Sequence, residues 1–193
     1  MPEILFINAC VRENSRTLEL AKCVLDSLGG ELEEVKLYEA GLSPLDAEGM
    51  KARDAASSAK DFSDARFALA RQFAEAKTIV IAAPYWDLMF PSILKVYFES
   101  VTVNGLTFAY SEKGIPRGLC NAKRLIYVTT SGGPIIHNFG FDYTRALAKS
   151  FYGIEDVCCI SAEGLDVRGA DVNAILQNAK ASLNEKIQRL NRT

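Results

Sequence analysis

Residues 3–17 read EILFINACVRENSRT. The apolar run Ile4–Asn8 has strand length, the polar stretch after it has loop composition, and from Leu18 the apolar residues fall at helical spacing. Leu18, Ala21, Val24, Leu25 and Leu28 then fall on one helical face, and Gly29-Gly30 ends the helix as glycine commonly does. Strand, polar loop and helix in that order form the opening unit of a parallel α/β fold. The same alternation recurs outward from it, with apolar strand-length runs at Leu32–Leu37, Thr78–Ala83, Leu125–Thr129 and Val157–Ser161 separated by helical segments. This pattern predicts an α/β three-layer sandwich, a five-stranded parallel sheet with helices on both faces.

Two further helices are legible. From Pro91 to about Val101, Ile93, Leu94, Tyr97, Phe98 and Val101 make a broad apolar face; later, Val172, Ile175, Leu176, Ala179, Leu183, Ile187 and Leu190 share one stripe. Residues 41–63 are small, polar and charged, and read as a loop or a frayed helix placed to act as a lid. LTFAYSEKGIPRGL, residues 106–119, alternates around Gly114 and Pro116 and predicts a hairpin excursion.

At 193 residues the chain is expected to form one domain over 1–193. A net charge of −2, with cations scattered along the chain, gives no footprint for nucleic acid. No apolar run reaches membrane-spanning length and no basic leader precedes the first strand, so a cytoplasmic protein without a membrane partner is expected. The five cysteines, Cys10, Cys23, Cys120, Cys158 and Cys159, lack zinc or CxxC spacing and read as buried small hydrophobes kept reduced; with one histidine, a metal cluster is not expected.

In a wound parallel sheet, ligands bind outside the carboxyl ends of the strands, where strand order reverses. Three such ends carry distinctive loops. The first places Arg12, Ser15, Arg16 and Thr17 at a helix N-terminus, where free amides and the helix dipole favour an anion such as phosphate. Asn14 or Ser15 also suits a plain helix cap. Neither GxGxxG nor GxxxxGK[ST] is present, so the dinucleotide and P-loop fingerprints are both missing. The third strand ends in AAPYWDLMFPSILK, residues 82–95, whose Tyr85 and the chain's sole tryptophan, Trp86, suit either core packing or stacking on a flat conjugated ligand. The fourth ends in VTTSGGP, residues 128–134, an ordinary turn on its own, but one whose Gly132-Gly133 allows close backbone approach beside the Thr130 and Ser131 hydroxyls. Phosphate grip, stacking loop and close-approach turn together describe a cradle for a flavin mononucleotide.

Those residues also carry a family likeness. With N-S-R-T opening the first helix, KLYEAGLSPLD at 36–46, IVIAAPYWDLMFPSILKVYFESVTVNGLTFAY at 79–110, VTTSGG at 128–133 and AEGLD at 162–166, the chain resembles the flavodoxin-like FMN-dependent NAD(P)H:quinone and azo-compound reductases nearly end to end. The resemblance implies a flavodoxin-like fold, non-covalent FMN, NAD(P)H as co-substrate, a small quinone or azo acceptor, a ping-pong cycle and a homodimer. By motif position it implies that Ser15, Arg16 and Thr17 hold the phosphate, Pro84, Tyr85, Trp86, Asp87 and Leu88 contact the ring, and Thr130, Ser131, Gly132 and Gly133 lie at its pyrimidine edge and ribityl chain; Arg12 is a further candidate for the phosphate, and Cys10 completes the cofactor-binding set. His137 and Tyr143 are candidate hydrogen-bond donors to the acceptor, and no side chain need act as acid or base.

The chain departs from the family pattern at two places. Azoreductases commonly carry P-M-Y-N-F where Pro84-Tyr85-Trp86-Asp87-Leu88 stands, and a serine–arginine pair where Thr130-Ser131 stands. An acid without a neighbouring cation opposes negative charge on a reduced flavin, so a lower potential than in typical members is expected. A one-electron carrier of the flavodoxin type and a flavin-free binding protein on the same fold are the competing readings at this level.

Overall fold

The structure, a computed structural model, describes residues 3–190, with the side chains of 183–190 outside the description. Strands β1 (Ile4–Asn8), β2 (Leu32–Lys36), β3 (Thr78–Ala82), β6 (Arg124–Thr130) and β7 (Asp156–Ala162) form one parallel sheet in the order β2-β1-β3-β6-β7. Between them the chain places β4 (Phe108–Tyr110) and β5 (Pro116–Gly118), paired antiparallel as the expected hairpin. The helices are α1 (Arg16–Leu28), α2 (Ala47–Ala59), α3 (Ala68–Glu75), α4 (Ser92–Val101), α5 (Phe139–Leu147) and α6 (Val172–Leu190); α5 runs on into a π-helical turn, Ala148–Tyr152. Every strand expected from the sequence is present, with ends displaced by at most one residue.

The pleat sorts β1 between two cores. Ile4 and Phe6 face α1 and α6, packing with Leu20, Ala21, Val24 and Leu176; Leu5 and Ile7 face the other side, where Phe73, Leu94, Tyr97, Phe98 and Tyr152 close over them. Because both faces are covered, β1 is buried at every position, which explains its unbroken apolar sequence. The α1 stripe is centred one residue away from the expected one: Leu20 is fully buried, whereas Leu18, Leu25 and Leu28 are only partly so. Of the expected α6 stripe, Leu176 and Ala179 are buried; Leu183, Ile187 and Leu190 lie outside the described side chains.

Within residues 41–63 the stretch Ala47–Ala59 forms α2, which buries none of its side chains. Asp46 caps it through the Gly49 amide at 2.8 Å. Arg53 reaches the carbonyls of Glu99, at 2.8 Å, and Thr102, and Ser57 reaches that of Asn104 at 2.9 Å, so polar contacts at the end of α4 hold it where a hydrophobic stripe is missing. Among the described residues no helix is long and apolar enough to cross a membrane. None of the five cysteines is disulfide-bonded, and all five are partly rather than fully buried, against the expectation of buried fillers; burial still raises the Cys10 thiol above its usual range and pushes that of Cys120 up to about 12, so neither supplies a thiolate near neutral pH.

Candidate cofactor site at the β1/β3 switch point

Connections leave β1 and β3 in opposite directions, towards β2 and towards β6, and the crevice this opens at their carboxyl ends is where such sheets bind ligands. A cleft of about 340 Å³ lies there, within the range of small-molecule sites. The three loops singled out in the sequence meet in it. Arg12, Ser15, Arg16, Thr17, Pro84, Tyr85, Trp86, Thr130, Ser131 and Gly132 all line its wall.

At one pole, Ser15 caps α1, its Oγ accepting from the Leu18 amide at 3.3 Å, so the cap reading holds alongside the anion reading. The first intrahelical donor is Glu19, to the Ser15 carbonyl at 3.0 Å, and among the described residues the amides of Arg16 and Thr17 have no protein acceptor. Thr17 is buried, and its hydroxyl shares a 2.6 Å hydrogen bond with that of Thr130, which fixes the first loop to the fourth strand.

At the other pole the chain reverses within two residues. The Trp86 amide donates to the Met89 carbonyl and the Met89 amide to the Trp86 carbonyl, both at 2.8 Å, with Asp87 at φ 50° and Leu88 at φ 68°. Two successive positive φ angles are the mark of a type I′ hairpin turn, whose usual sequence is Asn-Gly or Asp-Gly. Asp87 suits its place; Leu88 does not, since a Cβ in the left-handed region costs about 1–2 kcal/mol. Leu88→Gly is therefore expected to stabilise the protein by about 1 kcal/mol, read as a rise in the urea midpoint at unchanged slope. Among the described residues the Asp87 and Leu88 amides have no protein acceptor, and Trp86 is 41% exposed beside them. Tyr85 is fixed instead, its hydroxyl donating to the His137 carbonyl at 2.8 Å.

The remaining predicted residues sit at or beyond the margin. Asp87 and Leu88 are the tip of the turn, and Gly133 follows the lining residue Gly132. Cys10 borders a neighbouring cavity with Asn8, Glu34 and Lys36. His137 meets the site through its carbonyl, while its exposed ring stacks on Phe139 at 5.3 Å. The structure does not bring Tyr143 to the cleft: it is half-buried against Phe90 and Phe98, with ring centres 5.8 and 6.0 Å away, and lines a separate cavity with Leu45 and Arg53.

Four lining residues fall outside the predicted set: Val11 and Asn14 in the first loop, and Leu165 and Asp166 in the loop after β7. Arg16 Nη1 donates to the Leu165 carbonyl at 3.1 Å and Nη2 to Asp166 Oδ1 at 2.9 Å. The signal lay in the rule that selected the other three loops, since AEGLD also follows the carboxyl end of a strand. The two glycines of the fourth loop divide their tasks. A Cβ on Gly132 would stand 2.4 Å from Asp166 Oδ2, so protein fills that gap, whereas nothing lies within 4 Å of one on Gly133, which leaves backbone open to a ligand.

A family model described as flavodoxin-like fold matches residues 2–187. The FMN-dependent NADH:quinone oxidoreductase 2 of Clostridium acetobutylicum is 35% identical over 192 residues, spanning 92% of this chain and 94% of its own. The FMN-dependent NADH:quinone oxidoreductase of Coprothermobacter proteolyticus is 33% identical over 195 residues, with 93% and 94% covered. An azoreductase structure from Bacillus anthracis strain Sterne superposes with a TM-score of 0.82 at 22% identity over 100% of both chains. An FMN-dependent NADH-azoreductase from Bacillus anthracis strain Ames Ancestor, solved in complex with FMN, gives 0.80 at 25% identity over 98% of this chain and 99% of its own. With a family model that spans nearly all of the sequence and relatives about a third identical along it, the chain belongs to the family of proteins with the flavodoxin-like fold.

Proposed function

We propose that this protein is an FMN-dependent oxidoreductase that takes reducing equivalents from NAD(P)H, NADH in the first place, and passes them to a quinone or azo acceptor. The observation that carries the reading is the meeting, in one cleft, of a cationic, hydroxyl-rich pole (Arg12, Ser15, Arg16, Thr17) and an aromatic pole (Tyr85, Trp86). The residues present fit FMN: free helix amides and two guanidinium groups suit its phosphate, the open side of Gly133 admits its chain, and the unpaired amides of Asp87 and Leu88 suit a polar ring edge. The names of the NADH:quinone oxidoreductase and NADH-azoreductase relatives support the same reading.

When bound, FMN supplies the two-electron redox chemistry. The chain's own part is to bind and orient. Arg16, Arg12 and the α1 amides would anchor the phosphate, and the Thr17–Thr130 bridge holds that anchor at a fixed distance from the β6 turn. Trp86 offers an aromatic face, and Tyr85, tied to His137, keeps its loop in place. In this reading donor and acceptor take turns at the flavin, which is a ping-pong cycle. We place the protein in the cytoplasm as one domain, and as a homodimer in which a second copy covers the exposed apolar residues near the mouth: Trp86, Leu88, Ile136, which is 76% exposed, and Phe139. Size-exclusion chromatography checks the dimer.

The deciding experiment is reconstitution with FMN, followed by steady-state oxidation of NADH and NADPH with benzoquinone and an azo dye. Saturable turnover with parallel lines in double-reciprocal plots is expected; a flavin-loaded protein that nicotinamide reduces only over minutes would identify a one-electron carrier instead. The same preparation tests the acid in the turn. Asp87→Asn removes a negative charge, and an exposed charge is worth about 1 kcal/mol at contact, or roughly 20 mV for a two-electron couple. The bound flavin's potential is therefore expected to rise by that order, and an unmoved potential would show that Asp87 does not act on the ring.

A further inference from the structure

Arg16 is the cation nearest the start of α1, a place where the helix dipole works against it. Its side chain does not hang free. Both terminal nitrogens are engaged by the β7–α6 loop, at 3.1 Å on the Leu165 carbonyl and 2.9 Å on Asp166 Oδ1, a contact between residues 150 positions apart. That loop is in turn laid along the β6 turn by three backbone bonds: the Gly164 amide to the Gly133 carbonyl at 3.2 Å, Leu165 to Ser131 at 3.1 Å and Asp166 to Gly132 at 2.9 Å. Leu165 is buried in the core and pins the loop from beneath. The Asp166 carboxylate lies over Gly132, where a Cβ would stand 2.4 Å from Oδ2 and 3.2 Å from Cγ.

A surface ion pair with both members this exposed stabilises a fold very little. Its placement, however, links the two walls of the cleft. We propose that Asp166 is a positioning residue for the phosphate grip: it holds the Arg16 guanidinium in one orientation against the β7–α6 loop, and through its seat on Gly132 it couples that orientation to the β6 turn. Arg16 keeps three further N–H donors for the phosphate, so the clasp and the ligand share it without exchanging one for the other. A long cation already fixed by two hydrogen bonds loses less side-chain freedom when the anion arrives. This inference rests on the FMN reading and assigns a role to a residue for which the family likeness named none.

The test is titration of deflavinated protein with FMN and, separately, with riboflavin, which lacks the phosphate, each followed by quenching of flavin fluorescence. Asp166→Ala is expected to weaken FMN binding roughly tenfold, the size of coupling found within one salt-bridge network, and to leave riboflavin binding within twofold. Asp166→Asn, which keeps an acceptor oxygen, is expected to recover part of the loss. In an Asp166→Ala background, Arg16→Ala is expected to cost much less than it does alone. Unchanged or tighter FMN binding by Asp166→Ala would overturn the proposal and make the carboxylate a bystander or a competitor of the phosphate. Equal losses for both flavins would overturn it in favour of general loop support, and a thermal melt of the apoprotein shows whether the variants fold. Wild-type protein that binds neither flavin would overturn the cofactor reading itself, a result distinct from the others.

Discussion

Gly118→Ala is expected to destabilise the protein by about 3 kcal/mol, the upper end for inserting one carbon into a packed site. Gly118 ends β5, and its φ is unremarkable, so the demand is for space alone. A Cβ there would stand 2.1 Å from the Tyr152 carbonyl carbon, 2.2 Å from the Gly153 nitrogen and 2.3 Å from the Tyr152 oxygen. All three are backbone atoms, which no rotamer change can move aside. They belong to the π-helical turn that ends α5, and that turn is anchored: Tyr152 is fully buried, its hydroxyl 2.6 Å from Thr102 Oγ1, and its ring packs edge-on to Phe73 at 4.7 Å. The strain must therefore be taken up by lifting the hairpin off the body or by breaking the turn. For a chain of this size the loss corresponds to a fall in Tm of roughly 6–12 °C. A melting point within 2 °C of the parent would show that the contact between β5 and the π turn is dispensable.

Strands β1 and β3 were easy to read because burial on both faces turns each into an unbroken apolar run, and their ends then differ from the expected ones by no more than one residue. Helix α2 was not, because it buries nothing: its cohesion comes from Asp46 at the start and from Arg53 and Ser57 reaching carbonyls near the end of α4, contacts that leave no periodic trace. The site divides the same way. Ser15, Arg16, Thr17, Tyr85, Trp86 and Thr130 were visible as local composition at strand ends, and all reach the cleft. The loop of Asp166 was visible as a strand end, but its tie to Arg16 depends on tertiary register, on a gap above Gly132 and a guanidinium from the other end of the chain. Leu88 could not be anticipated at φ 68°, a conformation its side chain disfavours. Such a residue marks a turn held by its closing hydrogen bonds against local preference, as loops that face a ligand often are.

Arg16→Ala is expected to weaken FMN binding on the order of 50-fold while leaving the apoprotein as stable as before. The affinity loss follows from removing charge-assisted hydrogen bonds to a phosphate, about 2.3 kcal/mol in this range. The unchanged stability follows from two opposed small effects. The exposed pair with Asp166 contributes at most about 1 kcal/mol, and relief of a cation at the first residue of α1 returns a similar amount. Thermal melts read both quantities in one experiment, because a ligand stabilises by RT ln(1 + [L]/Kd). At FMN a thousand times the parent Kd, the parent gains about 4.1 kcal/mol and the variant about 1.8. The difference is a loss of roughly 5–9 °C from the FMN-induced shift in Tm, with apo melting points that coincide and riboflavin shifts that match. An arginine needed for the fold would instead lower the apo melting point, and one remote from the phosphate would leave the FMN shift intact. In the second case Arg12, the other guanidinium on the cleft wall, becomes the phosphate's main cation.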